Sequence, residues 1–366
     1  MRNGLDVGEE PVFDAFGLRV TRARALSHTT EGSGAAGRST YFDIPRGGLA
    51  EAGTVMLDWN ISARIENIHR RQARFEPLNL NSVEIERLRR LVLAIPRDAA
   101  VLGAFAAAEP ETRRTARAHD VDRYNTRTDV ASVYLAQVPD YLLHLLDGGK
   151  SGGLVLDSVA DEIPYEPDPF RAWFMISYAT FLKASSLHRE QLNSRRERVE
   201  RFVTWLEHEL RISPGQEAWI GFKLLAGRAD QAGKAERLLK LGRPRGVGDA
   251  VWGATWDLMY TRIPGMMHIP PLRGTWPLPI SFVTDDAALV DALDGSSSPF
   301  LVTNANGVTL GGGHVDLTLL HDDAQPTVRD YLKREKRRVL TTSPGLTDES
   351  MNRAAELARS LATQFE

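Results

Sequence analysis

Short apolar runs and longer amphipathic segments alternate along the chain, and the two patterns predict different elements. Gly53–Leu57 is a β-branched and apolar run that begins at glycine and ends before an aspartate, as a buried strand does. A similar run, Ile280–Thr284, comes immediately before Asp285 and Asp286. Ala99–Glu109 is predicted to be a strand that leads into a helix and ends at an acid. Each predicted strand therefore has a carboxylate beyond its carboxyl end.

Helical periodicity dominates the rest of the chain. Ser82–Leu93 has apolar residues at three- and four-residue spacing, and Ser82 is its predicted N-cap. Five further segments are predicted to be helical: Val130–Leu146, Phe170–Leu187, Arg195–Leu210, Ala218–Leu241 and Asp249–Tyr260. Strands separated by helices predict a three-layer α/β fold with a mostly parallel sheet, because parallel neighbours need helical crossovers. Sites in such folds lie beyond the carboxyl ends of the strands, where Asp58 and Asp286 stand.

The same pattern predicts the domain organisation. We expect residues 1–50 to be a partly flexible N-terminal extension, because they are rich in Gly, Ser and Thr. Residues 51–111 and 246–310 are predicted to form the α/β core, interrupted by a helical insertion or cap at 112–245. Residues 311–366 are predicted to be a C-terminal helical extension.

The composition excludes several classes of protein and of functional site. A chain of 366 residues with 42% hydrophobic and 25% charged residues is typical of a folded globular protein. No apolar run reaches the roughly 20 residues of a membrane span, and the first residues are too acidic for a secretory signal, so we expect a soluble, cytoplasmic protein. The absence of cysteine excludes disulfides, thiolate zinc sites and cysteine nucleophiles. A catalytic metal would need oxygen or imidazole ligands, which favours Mg²⁺ or Mn²⁺.

Charge does not by itself indicate a nucleic-acid binder, because the formal net charge is -3. Basic clusters occur at three places: 69–74, 195–198 and 333–338. Taken singly, each cluster is more typical of a solvated helix face than of a binding surface. The tryptophans of the helical segments are similarly more typical of a core than of base-stacking platforms.

Acids near strand ends and helix starts are the candidate catalytic residues. A divalent cation needs several oxygen ligands, and phosphodiester cleavage requires negative charge to be neutralised in the transition state. The candidates are Asp58, Glu109, Asp249, Asp257 and Asp286. Asp58 equally fits the N-cap of a helix that begins near Ile61.

Two of these segments resemble the signatures of PIN domains. Leu57–Ile61 looks like the family's strand-end motif, hydrophobic-Asp-x-Asn-hydrophobic. Phe282–Leu289 looks like its later Thr-x-Asp-x-x-Leu motif, and the two occur in the family's order. The resemblance implies a Rossmann-like sheet, an acidic site that binds Mg²⁺ or Mn²⁺, and hydrolysis of RNA or, less often, structured DNA.

Individual roles follow from the resemblance. Asp58 matches the first acid of the family and Asp286 the fourth. Asn60 and Thr284 match polar residues that orient water or metal-bound carboxylates. Asp285 is expected to be a bystander.

The second and third acids are less well defined. The third lies in the helix before the Thr-x-Asp strand, where Asp249 and Asp257 are alternatives. Eight residues apart, they differ by about 80° in direction and about 12 Å along a helix, so only one should contact a metal. Asp257 is preferred, and Asp249 is interpreted as an N-cap. Glu109 is the candidate second acid, with Glu162 as the fallback.

The predicted function is a metal-dependent endoribonuclease whose metal ligands are Asp58, Glu109, Asp257 and Asp286. The alternative is a non-catalytic PIN-like module that binds RNA or a protein. A regulatory protein partner and a homodimer are further expectations, whereas a membrane partner is not expected. Its expected biological role is that of a toxin, a phage-defence effector or an RNA-processing enzyme.

A competing metal centre uses other residues. Gly311–Asp316 and His321–Asp323 place two histidines near three acids, as a His/Asp phosphohydrolase would need. A hairpin turn followed by a surface acidic turn fits the same residues better. Residues 311–313 also lack the Lys-Ser/Thr pair of a nucleotide phosphate loop.

Overall fold

The chain is mostly helical and contains a small parallel sheet, which makes it an α/β fold. The computed structural model describes residues 49, 52–102, 130–149, 168–190, 194–242, 246–266, 280–284, 286–293, 300–303, 309–312, 315–342 and 347–365. The predicted extension over 1–50 lies outside them except for residue 49. No helix among these residues has the length and apolar content that crossing a bilayer requires.

The chain divides into two compact units. In the first unit, the described residues lie between 49 and 149 and between 264 and 284. In the second unit they lie between 168 and 263 and between 286 and 365. Each unit is therefore built from separate stretches of the chain.

The first unit contains the parallel sheet. Its elements are β1 (Thr54–Leu57), α1 (Trp59–Ala73), α2 (Ser82–Ala94), β2 (Ala100–Leu102), a π-helical turn (Val133–Gln137), α3 (Pro139–Leu146) and β3 (Ile280–Val283). The strand order is β2-β1-β3, and β1 runs parallel to both neighbours. All four residues of β1 are fully buried, as expected for the central strand of a parallel sheet. The predicted strands are thus present, each within a residue or two of its expected start.

Apolar residues at helical spacing hold the helices of the first unit together. Ile61, Ile65 and Ile68 of α1 recur at intervals of four and three residues, and all three are buried. They belong to one core cluster that also contains Leu88 and Leu91 of α2. A stripe of this kind is what an amphipathic helix buries against its neighbours.

The start of α2 differs by one residue from the prediction. Asn81, not Ser82, is the N-cap, and its Oδ1 accepts the backbone N–H of Glu84 at 2.9 Å. Glu84 Oε2 in turn accepts the backbone N–H of Asn81 at 3.0 Å. This reciprocal capping box satisfies donors that the first turn of a helix would otherwise leave open.

The second unit is built mainly of helices. Its elements are α4 (Asp168–Arg189), α5 (Arg195–Trp205), a π-helical turn (Leu206–Leu210), α6 (Gln216–Ala226), α7 (Ala229–Leu239), most of α8 (Val247–Met266), α9 (Ala287–Leu293), β4 (Phe300–Thr303), β5 (Thr309–Gly312), a 3-10 turn (Leu317–Leu319), α10 (Gln325–Thr342), α11 (Asp348–Ala362) and a final 3-10 turn (Thr363–Phe365). Helix α4 packs against α6 and α11, whereas α7 packs against α6 and α9. Strands β4 and β5 form an antiparallel hairpin.

The single helix predicted over Ala218–Leu241 is wrong, because the chain forms two helices that meet at Gly227. The N–H of Gly227 donates to the carbonyl of Lys223 at 2.8 Å, and Arg228 N–H then donates to Leu319 O at 3.0 Å. A Cβ at position 227 would lie 2.3 Å from the Lys223 carbonyl oxygen. A glycine is therefore required at this tight break.

Aromatic side chains fill the interior of the second unit. Trp205, Trp219 and Trp256 are buried, which confirms the core role predicted for them. The ring of Phe174 lies 4.4 Å from that of Trp252 and 4.9 Å from that of Trp256, measured between centroids. Tilted rings at this spacing add attraction beyond the burial of apolar area.

Two charged residues of α6 are fully buried. Ser177 Oγ of α4 donates to the carboxylate of Glu217, and Lys223 Nζ donates to the carbonyl of Ala292 at 3.1 Å. Burial of a charge without partners is costly, so these contacts hold α6 to α4 and to the end of α9.

His188 makes the stability of the second unit depend on pH. Its Nε2 lies 3.4 Å from Glu236 Oε1 of α7. Burial lowers the pKa of His188, and the attraction of Glu236 offsets this effect only in part. Below about pH 6.5 the unfolded chain therefore takes up this proton more readily than the folded chain.

We predict that acidification from pH 7 to pH 5 destabilises the wild type more than His188→Gln, which cannot take up this proton. Denaturant unfolding at several pH values measures the difference. Because carboxylates titrate in both proteins, only the gap between the two curves reports on His188. Parallel curves would contradict the prediction.

Candidate active site

Asp58 lies directly after the central strand and is 2% exposed. Its backbone N–H donates to Val283 O at 2.9 Å, so the ladder between β1 and β3 continues past the end of β1. Its Oδ1 accepts the N–H of Asn60 at 3.0 Å. Asp58 is thus the N-cap of α1, the structural alternative that its sequence position allowed.

A side chain from the neighbouring strand end also contacts Asp58. Thr284, which is 3% exposed, donates through Oγ1 to Asp58 Oδ2 at 2.6 Å. Asn60 Nδ2 donates to the same oxygen at 3.4 Å. The last paired residues of the two strands are Leu57 and Val283, so Asp58 and Thr284 stand opposite each other one step further on. Three of the predicted site residues are therefore brought together.

Asp58 and Thr284 lie where the winding of the parallel sheet changes direction. The chain passes from β1 to β2 on one side of the sheet and reaches β3 on the other side. The carboxyl ends of β1 and β3 therefore flank a point where the direction of winding reverses. Parallel α/β sheets bind their ligands at such points.

Asp286 belongs to the second unit and immediately precedes α9. Its Oδ1 accepts the N–H of Ala288 at 2.8 Å and the N–H of Leu289 at 3.1 Å. The side chain is partly exposed and occupies the position of an N-cap. Like Asp58, it lies between the end of a strand and the start of a helix.

The two alternatives for the third acid differ in their surroundings. Asp249 is exposed and is the third residue of α8, so its interpretation as the N-cap is wrong. Asp257 lies in the middle of the same helix and is 8% exposed. The preference for Asp257 as a metal ligand stays a prediction.

Other candidates lie outside the described residues or have structural partners. Glu109, Glu162, Asp285 and His314 lie outside the described residues. At the competing centre, Asp316 Oδ1 accepts the N–H of Thr318 at 3.0 Å, and Asp322 pairs with Arg228 at 3.2 Å. Within the described ranges, no group of three or more His, Asp or Glu side chains could hold a metal ion.

Two buried polar residues of α1 were missed by the sequence analysis. Ser62 is fully buried and Glu66 is 7% exposed. With Asp58 they recur every four residues, beside the apolar stripe of α1. Glu66 pairs with Arg70, whereas Ser62 Oγ has no hydrogen-bond partner in the part of the chain that the structure describes. The four-residue spacing was the available signal for this polar stripe.

No protein-family model, curated protein or solved structure matches this chain.

The hydrogen bond from Thr284 to Asp58 should contribute measurably to stability. We expect Thr284→Val to lower the free energy of unfolding by about 1–3 kcal/mol, because a buried carboxylate oxygen loses a donor. Thr284→Ser keeps the hydroxyl and serves as the matched control, with a smaller loss expected. Denaturant unfolding measures both, and equal losses in the two variants would show that the hydroxyl does not matter.

Proposed function

We propose that the protein is a metal-dependent endonuclease of the PIN-like kind that acts on RNA, with Asp58 as a metal-binding carboxylate. The observation that carries this proposal is the hydrogen bond from Thr284 to Asp58 at the carboxyl ends of β3 and β1. A Rossmann-like layout of the parallel sheet is part of the same proposal. The resemblance of residues 57–61 and 282–289 to PIN motifs supports it.

The residues around Asp58 are chemically suited to a hard divalent ion. Carboxylate, amide and hydroxyl oxygens are the ligands that Mg²⁺ and Mn²⁺ prefer, and Mg²⁺ often uses only one or two protein carboxylates together with water and substrate phosphates. Hydrogen bonds from Asn60 and Thr284 restrict the orientation of the Asp58 carboxylate. Restraint of this kind commonly tunes metal-binding carboxylates.

The roles of the protein groups follow from this arrangement. Asp58 would hold the cation, and it supplies negative charge near the carboxyl end of the sheet. Thr284 and Asn60 keep its oxygens in place, so that little reorganisation is needed when substrate binds. The bound metal would neutralise charge on the scissile phosphate and lower the pKa of a water molecule. No protein nucleophile is needed.

Further acids enter the proposal through the resemblance alone. Asp286 enters as the match to the fourth acid of the family's motifs. Asp257 and Glu109 are the other proposed ligands. Mutagenesis has to test each one separately.

A non-catalytic module that binds RNA or a protein is the second candidate. Two observations favour it: Asp58 and Asp286 already cap helices, and the described residues contain no cluster of three potential metal ligands. In that case the acids at these positions are kept for folding rather than for cleavage.

Cleavage assays separate the two candidates. We expect the purified full chain to cut RNA in the presence of Mn²⁺ or Mg²⁺ and to lose this activity when EDTA is added. Asp58→Asn keeps a side chain that caps helices well but removes the charge, so activity should fall by about two orders of magnitude or more. Asp286→Asn should have a comparable effect. Labelled RNA and DNA substrates resolved on denaturing gels provide the readout.

Asp285→Asn is the matched control and should leave cleavage unchanged. Calorimetric titration with Mn²⁺ provides an independent measurement, since Asp58→Asn should also weaken metal binding. Absence of both cleavage and Mn²⁺ binding in the wild type would overturn the enzymatic proposal and favour the non-catalytic module.

A further inference from the structure

Helix α10 has two chemically different faces. On one face Val328, Tyr331 and Glu335 recur at helical spacing and are buried. The other face has four exposed cations, here called the basic stripe: Arg329, Lys333, Lys336 and Arg337. The other three cations lie four, seven and eight residues after Arg329. This spacing places all four within a sector of about 100° on the helix surface.

Hydrogen bonds to residues earlier in the chain fix the position of α10. Arg334 Nε donates to Glu207 Oε1 at 2.7 Å, and Arg338 donates to the carbonyl of Arg211 at 3.1 Å. Each acceptor lies 127 residues before its donor, so this part of α10 lies alongside the turn that follows α5. These two arginines anchor α10 to the turn that follows α5, and they are treated separately from the basic stripe.

The basic stripe differs in charge from the rest of the chain. It contributes four positive charges, whereas the whole chain has a formal net charge of -3. The exposed acid of α10, Asp330, lies 3.6 Å from Lys333, and both side chains are more than half exposed. Ion pairs in solvent are weak, so this contact leaves Lys333 able to exchange partners. The other acid of the helix, Glu335, is buried and pairs with Arg338.

We propose that the basic stripe binds the phosphate backbone of a nucleic acid. Its cations extend over about 12 Å along the helix. Because each strand of a duplex presents a phosphate about every 3.4 Å of axis, this length matches three or four phosphates. A lipid surface fits less well, since a basic helix that binds membranes inserts its apolar face, and the apolar face of α10 is buried in the second unit.

This proposal is independent of cleavage and is tested without divalent metal. The experiment measures fluorescence anisotropy of labelled single-stranded RNA, duplex RNA and duplex DNA in EDTA, over a series of KCl concentrations. The test variant carries Arg329→Gln, Lys333→Gln, Lys336→Gln and Arg337→Gln. The matched control carries Arg74→Gln, Arg90→Gln, Arg97→Gln and Arg359→Gln, which change the net charge equally at exposed positions elsewhere.

We expect the test variant to bind at least about tenfold more weakly at 0.1 M salt than the wild type. Its plot of log K against log salt should be shallower by about 1 to 4, because each lost phosphate contact on a duplex removes about 0.9 from the slope. The control should bind like the wild type, and circular dichroism should show equal helix content in all three proteins. Comparison of the RNA and DNA arms identifies which nucleic acid is preferred.

Three results would overturn the proposal. They are the absence of nucleic-acid binding in the wild type, equal losses in the test and control variants, and binding of the wild type to phosphatidylserine vesicles but to none of the oligonucleotides. Cleavage is measured with divalent metal and oligonucleotide binding in EDTA, so a failure of the cleavage proposal is distinguishable from a failure of this one.

Discussion

A buried carboxylate at the end of the central strand is the constraint on which the first unit depends. Asp58 is almost inaccessible to solvent, and a charge in such a place needs donors from the protein. Asn60 supplies a backbone and a side-chain N–H from the start of α1, and Thr284 supplies a hydroxyl from the end of β3. One side chain thereby determines where α1 begins and how the ends of two parallel strands are aligned.

This arrangement explains why part of the site could be predicted. Leu57 and Val283 end apolar runs, and the carboxyl ends of parallel neighbours meet at the same edge, so the proximity of Asp58 and Thr284 follows from the strand pattern. The proximity of Asn60 to Asp58 follows from its position two residues after Asp58 in the chain. The choice between Asp249 and Asp257 could not be made in this way, because both lie on one uninterrupted helix and spacing does not indicate which side is covered.

The errors in the predicted elements have local causes. Helical periodicity continues across Gly227, so the pattern of apolar residues does not reveal the break there. The break depends on the close approach of the Lys223 carbonyl to Gly227, which leaves no room for a side chain at position 227. The start of α2 was misplaced because Asn81 and Ser82 are both good caps, and the reciprocal bonds with Glu84 decide between them. The basic clusters were visible in the sequence, but only the packing of Tyr331 and its neighbours identifies the exposed cations.

The separation of Asp58 from its partner also has a consequence for protein synthesis. The two residues of the Thr284–Asp58 bond are 226 positions apart. At a translation rate of about 5–20 residues per second, the ribosome adds Thr284 about 11–45 s after Asp58. A nascent chain therefore contains the carboxylate long before the hydroxyl that orients it. Under the proposed function, this order of assembly would delay cleavage until Thr284 has been translated.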